Sequence, residues 1–333
     1  MEQSKVTGGR AFKPELVSVV IPTYNGGADL EVLLSKLQRQ QVDFPFDITC
    51  VDSGSTDGTW DLLASCPVRR HQIPKEQFSH GGTRNLGIEL TSGDIIVLLT
   101  QDAIPLDEHL LSSLAANYAD PRVGGAYARQ VPRPIGTLLP KIDLSMSQTG
   151  KTVRSSNNIK EHPDYSQLPP LRQRELCNFD NICSSMRRTA WEKIHLQNRS
   201  FAEDLDWGKR AFEGGWTIVY EPKAVVMHSH DRSFWYEVKR SFITYDVLRE
   251  FFGYRHQFTF SQLVKTMKGL RDSLRRSFPE QIRMSSQTER LRTYWIILAR
   301  LLGQWFYSTW QSSGRNESNG WSLTIRKFFY SGV

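Results

Sequence analysis

Cysteine is scarce in this chain: of 333 residues only Cys50, Cys66, Cys177 and Cys183 carry a thiol, and no two stand at CxxC spacing. With no N-terminal apolar stretch that reads as a secretory leader, a disulfide-bonded secreted protein is not expected and a reducing cytoplasm is. Long apolar runs are missing too. The nearest approach, residues 294–310, is broken by Arg300 and several polar side chains, so no membrane-spanning helix is expected. Neither common phosphate loop is present: there is no GxxxxGK(S/T), and no GxGxxG follows the first apolar run. Any bound diphosphate must be held by other means, and a metal ion is the expected one. No internal repeat occurs along the chain.

What is present is the balance of a soluble globular protein, with 39% hydrophobic and 23% charged residues. The length suits one large α/β domain plus an appendage. The net charge of +7 is unevenly spread. From Ser233 onward sixteen Lys/Arg stand against seven Asp/Glu, which leaves +9 on that tail and −2 on the remainder. Such a tail suits nucleic acid, anionic lipid or a phosphorylated substrate, and charge alone does not choose among them.

Residues 1–15 are polar and without periodicity, a flexible lead-in. Then apolar runs with β character alternate with helical patterns: a strand at 16–22, leucines at helical spacing from Leu30 to Leu37, a strand at 46–51, a short strand at 69–73, a helix from Thr83 to about Leu90, and the apolar run at 95–99. This alternation predicts a parallel, doubly covered sheet, Rossmann-like. A helix around Leu110–Leu114 and a strand at 125–130 follow, and the pattern lapses over 131–174 into a long loop or partly helical insertion. Order resumes with a strand at 181–187, helices through Trp191 and over 203–212, and two strands at 217–220 and 224–227. Beyond about Ser233 the chain reads as helices.

Pro22, Thr23, Tyr24 and Asn25, followed by Gly26 and Gly27, stand at the carboxyl end of the first strand, the edge where open α/β sheets bind ligands. Alone this is an ordinary turn. The second strand runs into Asp52-Ser53-Gly54-Ser55-Thr56-Asp57-Gly58, where Asp52 is placed to hydrogen-bond a pyrimidine or ribose and Asp57 to cap a helix. Gly81-Gly82-Thr83-Arg84-Asn85 makes a glycine-rich turn into a helix whose arginine can clamp phosphate or stack on a base. Gln101 and Asp102 follow the 95–99 strand, and Asp102 is a candidate ligand for Mg²⁺ or Mn²⁺, which take one or two carboxylates and fill the shell with phosphate oxygens and water.

In order and spacing these four motifs resemble family 2 glycosyltransferases of the GT-A fold, over about residues 16–231. The phrases at 78–85 and 99–103 are similar to those of bacterial rhamnosyltransferases that use dTDP-L-rhamnose. The resemblance implies a mixed, mainly parallel Rossmann-like sheet, and a catalytic domain over 16–232 with a nucleotide-binding half to about 131 and an acceptor half after it. It implies that Pro22, Thr23, Tyr24, Asn25, Asp52, Ser53, Gly81, Arg84, Asn85, Gln101 and Asp102 contact the nucleotide-sugar. The family's Asp-any-Asp motif binds metal and diphosphate, but Thr100 stands here for the first Asp. Asp102 is left as its only carboxylate, and His228 and His230 are the candidates for completing the site, His228 foremost. In Phe201-Ala202-Glu203-Asp204, the resemblance makes Asp204 the base that deprotonates the acceptor hydroxyl in an inverting transfer, with Glu203 orienting or binding acceptor. Asn178, Asp180 and Trp207 are placed on the acceptor side.

The tail over 233–333 interleaves arginine clusters with Trp295, Trp305, Phe306 and Trp310. It reads either as an interfacial region on an anionic membrane, suited to a lipid-linked acceptor, or as a helical subdomain packing its aromatics inward. A UDP-sugar donor, a nucleotidyltransferase and a nucleic-acid-binding protein are the rival readings. No nucleic-acid module is recognisable, and Gly26-Gly27 lacks the basic residue a nucleotidyltransferase loop carries.

Overall fold

A computed structural model describes residues 12–134, 137–313 and 320–331. The expected lead-in falls, up to residue 11, outside the described residues. In chain order the elements are β1 (Val17–Thr23), α1 (Gly27–Gln38), β2 (Phe46–Asp52), α2 (Thr59–Ser65), β3 (Arg69–Gln72), α3 (His80–Glu89), β4 (Ile95–Leu99), β5 (Ile104–Pro105), α4 (Leu110–Ala115), β6 (Val123–Val131), α5 (Leu138–Met146), β7 (Ser155–Asn157), α6 (Pro170–Leu176), β8 (Cys183–Arg187), α7 (Arg188–Lys193), α8 (Glu203–Glu213) and β9 (Thr217–Met227). The C-terminal region adds α9 (Phe234–Phe252), α10 (Phe260–Ser277), α11 (Pro279–Met284), α12 (Gln287–Ser312) and α13 (Gly320–Tyr330).

The strands form one sheet in the order β3-β2-β1-β4-β8-β6-β9-β5, with β7 added against β9. Pairings β1–β2, β2–β3, β1–β4 and β6–β9 are parallel; β8 runs antiparallel to both β4 and β6, and β5 and β7 antiparallel to β9. Such a sheet needs cover on both faces, and alternation along each strand supplies it. Val17, Val19, Ile21, Val97 and Leu99 point to a core shared with the α1 leucines and with Leu110, Leu111 and Leu114 of α4. Val20, Ile96 and Leu98 point to the opposite core with Ile88, Trp207 and Phe212.

Three local differences from the sequence reading have simple causes. The helix expected from Thr83 begins at His80, because Ser79 Oγ accepts the Gly82 N–H (3.1 Å) and so caps the first turn. The two strands expected at 217–220 and 224–227 are one strand, β9, whose register against β6 jumps from Glu221↔Ala128 to Val225↔Arg129. Pro222, lacking an N–H, sits in the residues looped out there. The 131–174 stretch holds α5, β7 and α6.

The tail packs some aromatics and exposes others. Phe242 stacks on Phe329 at 3.9 Å and meets Tyr307 and Trp310, whereas Trp235, Trp295 and Phe328 are each more than half exposed. Among the described residues no helix is long and apolar enough to cross a membrane.

Candidate active site

The carboxyl ends of β2, β1 and β4 are adjacent, and the turns leaving them are tied together. Buried Asp52 accepts from the N–H groups of Gly54 (3.1 Å) and Ser55 (3.0 Å), from Gln72 Nε2 (3.2 Å), from Ser55 Oγ (2.5 Å) and from Thr23 Oγ1 (3.2 Å). Pro22 lies in the β1 ladder opposite Val51. Tyr24 N–H donates to Gln101 Oε1 (2.8 Å), and Gln101 Nε2 donates back to the Tyr24 carbonyl (2.9 Å). Asn25 adopts a left-handed conformation (φ 47°), which asparagine tolerates, and its Oδ1 accepts from Thr56 N–H (2.9 Å). The edge is a rigid cradle with the half-exposed Tyr24 ring at its rim. Lys75, not singled out from the sequence, donates from Nζ to Tyr24 OH (2.8 Å). Buried Ser53 has an Oγ with no partner among the described residues, an orphan polar atom beside that cradle.

Asp102, His228 and His230 come together although the elements from β5 to β9 lie between them in sequence. Asp102 Oδ2 is 2.9 Å from His230 Nε2 and 3.7 Å from His228 Nε2, and one ligand atom from each of the three residues lies within 4.8 Å of the others. The two rings meet edge to face at 4.6 Å, as residues two apart on an extended segment can. Burial works to raise the Asp102 carboxyl, but the His230 hydrogen bond and the neighbouring imidazoles outweigh it and hold the group below the usual carboxylate range. Burial pushes His228 down to about 4, so at neutral pH its ring is uncharged with a lone pair to offer. One carboxylate and two imidazoles are a fitting donor set for a divalent transition ion such as Mn²⁺, less so for Mg²⁺, which prefers oxygen.

Arg133 is a cation at this place that the sequence reading missed. Its guanidinium forks onto Asp29 (both bonds 2.9 Å) and donates to the Asp102 carbonyl (3.2 Å). Its signal was an arginine between two prolines at the carboxyl end of β6.

The acidic helix α8 follows Ala202, whose φ of 61° is the left-handed region that a side chain with Cβ occupies only at a cost of about 1–3 kcal/mol. Asp204 Oδ2 accepts from Asn181 N–H (3.3 Å), which sets it beside Asp180. Asp180 accepts from Ile182 N–H (2.9 Å) and Gln130 Nε2 (3.0 Å). Thr100 N–H bonds the Ile182 carbonyl (3.0 Å), so the turn bearing Asp102 abuts the turn bearing Asp180. Both carboxyls are raised, to about 6: Asp204 by burial and then by Glu203, Asp180 by burial and then by Asp204. Together with Asn178 they line one cleft.

Several predicted contacts face elsewhere. Arg84 is buried: its Nη1 pairs with Glu203 at 2.8 Å and also reaches the His80 carbonyl (3.2 Å), its Nη2 is directed to the Asn181 carbonyl (3.4 Å), and its Nε is buried with no partner among the described residues. Asn85 is taken up by Leu196 and by Trp191 Nε1. A Cβ on Gly81 would stand 2.0 Å from the Gln197 carbonyl oxygen, so only glycine permits that approach. The three residues turn toward segment 181–203, where Arg84 ties α3 to the first turn of α8 while Gly81 and Asn85 meet residues 191–197 ahead of it. Trp207, expected at the acceptor, needs correcting. It is 0% exposed, packs on Phe179 at 4.6 Å and donates Nε1 to the Ile194 carbonyl (2.7 Å). Four residues on from Glu203, it shares that residue's inward face of α8.

Comparison with known proteins adds to this geometry. Residues 18–194 match the profile of "Glycosyl transferase family 2". The O-antigen chain rhamnosyltransferase RfbN of Salmonella typhimurium is 28% identical over 232 residues, covering 68% of this chain and 71% of the relative. The O-antigen chain rhamnosyltransferase WbaN of Salmonella anatum is 26% identical, covering 68% and 70%. Among solved structures, a mannosyltransferase from Pyrobaculum calidifontis in complex with GDP-Man and Mn²⁺ superposes with a TM-score of 0.55 at 17% identity, covering 90% of this chain and 88% of that one. S. aureus TarS 1–349 in complex with UDP-GlcNAc does so at 0.50 and 15%, covering 90% and 92%. At these identities the structural matches speak for the fold alone.

Proposed function

The chain belongs to glycosyl transferase family 2, and with that as premise we propose that this GT-A glycosyltransferase moves L-rhamnose from dTDP-L-rhamnose, with inversion, onto a hydroxyl of a growing polysaccharide or lipid-linked glycan. The observation that carries this reading is the convergence of Asp102, His228 and His230 next to the cleft that holds Asp204. That the Salmonella relatives are rhamnosyltransferases supports rhamnose as the sugar. Residues 16–131 form the nucleotide half, 132–232 the acceptor half, and 233–333 the basic region.

In this reading the turns bearing Pro22, Thr23, Tyr24, Asn25, Asp52, Ser53 and Gln101 receive the nucleotide. Asp102, His228 and His230 would hold a divalent ion, which when bound neutralises charge on the diphosphate. Arg133 adds fixed positive charge at the same place. Asp204 takes the proton from the acceptor hydroxyl, which then attacks C1 opposite the leaving group. Arg84 acts through Glu203, fixing the first turn of α8 so that Asp204 stays aimed. Asn178 and Asp180 bind the acceptor sugar.

A thermal-shift series tests the donor. With Mn²⁺, dTDP-rhamnose is expected to raise the melting temperature more than UDP-glucose, UDP-GlcNAc or dTDP alone, in proportion to RT ln(1 + [L]/Kd). A larger shift with a UDP-sugar would replace the donor. The four unpaired cysteines support a reducing compartment, and exposed Trp235, Trp295 and Phe328 amid arginines support peripheral contact with the inner face of the membrane. Co-sedimentation with phosphatidylglycerol vesicles is expected to exceed that with phosphatidylcholine and to fall as salt is raised. Equal partitioning to both would sink the membrane contact.

A further inference from the structure

The cleft around Asp180 and Asp204 carries a second chemistry on its wall. Besides the two acids it is lined by Arg174, in the last turn of α6, and Arg240, on α9. Most other arginines nearby are taken: Arg199 by Glu250, Arg300 by Asp143 and Glu237, Arg326 by Asp246. These two are not. Both are exposed, and among the described residues neither guanidinium has an ion pair or a hydrogen bond; Arg240 only lies 5.8 Å from the Phe201 ring.

Two elements far apart in sequence thus aim like charges into one opening. Charge balance with the acids does not account for it, because neither arginine forms an ion pair with Asp180 or Asp204 among the described residues, and Asp180 stays raised although Arg240 acts to lower it. A neutral sugar hydroxyl approaching Asp204 has no use for cations at the rim. A negatively charged acceptor does, since it would otherwise be repelled by the carboxylates, and the planar guanidinium fork matches both carboxylate and phosphate oxygens.

We propose that the acceptor carries an anion, a phosphate ester or a carboxylate, next to the sugar whose hydroxyl reacts, and that Arg174 and Arg240 grip it at the mouth of the cleft. The proposal rests on the reading of this cleft as the acceptor site and adds the acceptor's charge to it. It also gives the C-terminal region, through α9, a part in choosing the substrate.

The test is calorimetric titration of the full chain, without divalent ion, with glucose 1-phosphate, methyl glucuronide and uncharged methyl glucoside. At least one charged probe is expected to bind about tenfold more tightly than methyl glucoside, the scale of one charge-assisted hydrogen bond, and the advantage to shrink as salt rises. Whether the phosphate or the carboxylate probe gains identifies the anion. Arg174→Gln and Arg240→Gln should each remove most of the advantage, while Arg271→Gln on α10 leaves it intact. No advantage for either charged probe, or one that survives both substitutions, overturns the proposal. An arginine-dependent advantage in a protein whose transfer ignores Asp204→Asn would instead remove the base and leave the anion site standing. Loss of transfer in Asp204→Asn without that advantage would do the reverse.

Discussion

Asp204→Asn is expected to lower kcat by about 10²–10⁴-fold, the range a positioned general base supplies, while the affinity for the nucleotide-sugar stays within about twofold. The amide keeps the shape of the carboxylate, and its one oxygen still accepts from one of the two N–H groups that the carboxylate holds, Leu205 (2.7 Å) or Asn181 (3.3 Å), so the first turn of α8 keeps an anchor. What is lost is the capacity to hold the acceptor's proton. The pH profile provides a second reading of the same group. Burial and the Glu203 charge raise this carboxyl to about 6, and a base works only when unprotonated, so the rate of the parent enzyme should climb through an acid limb near pH 6 and level off above it. Because Asp180 titrates alongside, that limb belongs to the pair rather than to one residue. A variant with parental kcat, or a parental profile flat from pH 5 to 7, would take Asp204 out of the role.

Asp102→Ala should weaken donor binding in the presence of Mn²⁺ by at least about 100-fold, since losing a mere outer-shell partner of a metal already costs about 10–100-fold. With Thr100 where the related motif has its first acid, no second carboxylate of that motif stands by to compensate. The substitution also strips His230 of the oxygen that orients it at 2.9 Å. Calorimetry with dTDP-rhamnose, with and without Mn²⁺, separates the contributions: the variant's metal-dependent affinity should collapse onto the parent's metal-free value. Affinity that is the same in both proteins and indifferent to Mn²⁺ would dispose of the metal site.

Strands β1, β2 and β4 were legible because a covered parallel strand must be apolar at nearly every position, and little else in a soluble chain looks like that. Asp52, Asp102 and the histidine pair were legible because they sit at strand ends, where the turn chemistry shows through. Side-chain direction within helices was not. Gly81, Arg84 and Asn85 read in sequence as a glycine-rich turn suited to phosphate, but they lie within α3, and only the packing of residues 181–203 against it, some hundred residues later, decides that they face that segment. Trp207 looked available because it stands among acids, and it is buried because α8 needs a large apolar wedge against Phe179. Arg133 showed only its place between two prolines, Arg240 only its place in a basic cluster and Arg174 nothing local, and their meaning comes from which carboxylates the fold brings near. Two-residue β5 and three-residue β7 are too short for any periodicity to declare.

One sheet runs unbroken from β3 to β5, and β8 is hydrogen-bonded both to β4, which leads to Asp102, and to β6, which leads to Arg133. The part of the chain before β6 and the part after it are therefore spliced by a shared ladder, with no seam in the sheet along which two lobes could part. Under the proposed function, a sugar held between Asp102 and Asp204 would leave past the chain segments at the sheet's edge, among them the stretch that carries His228 and His230.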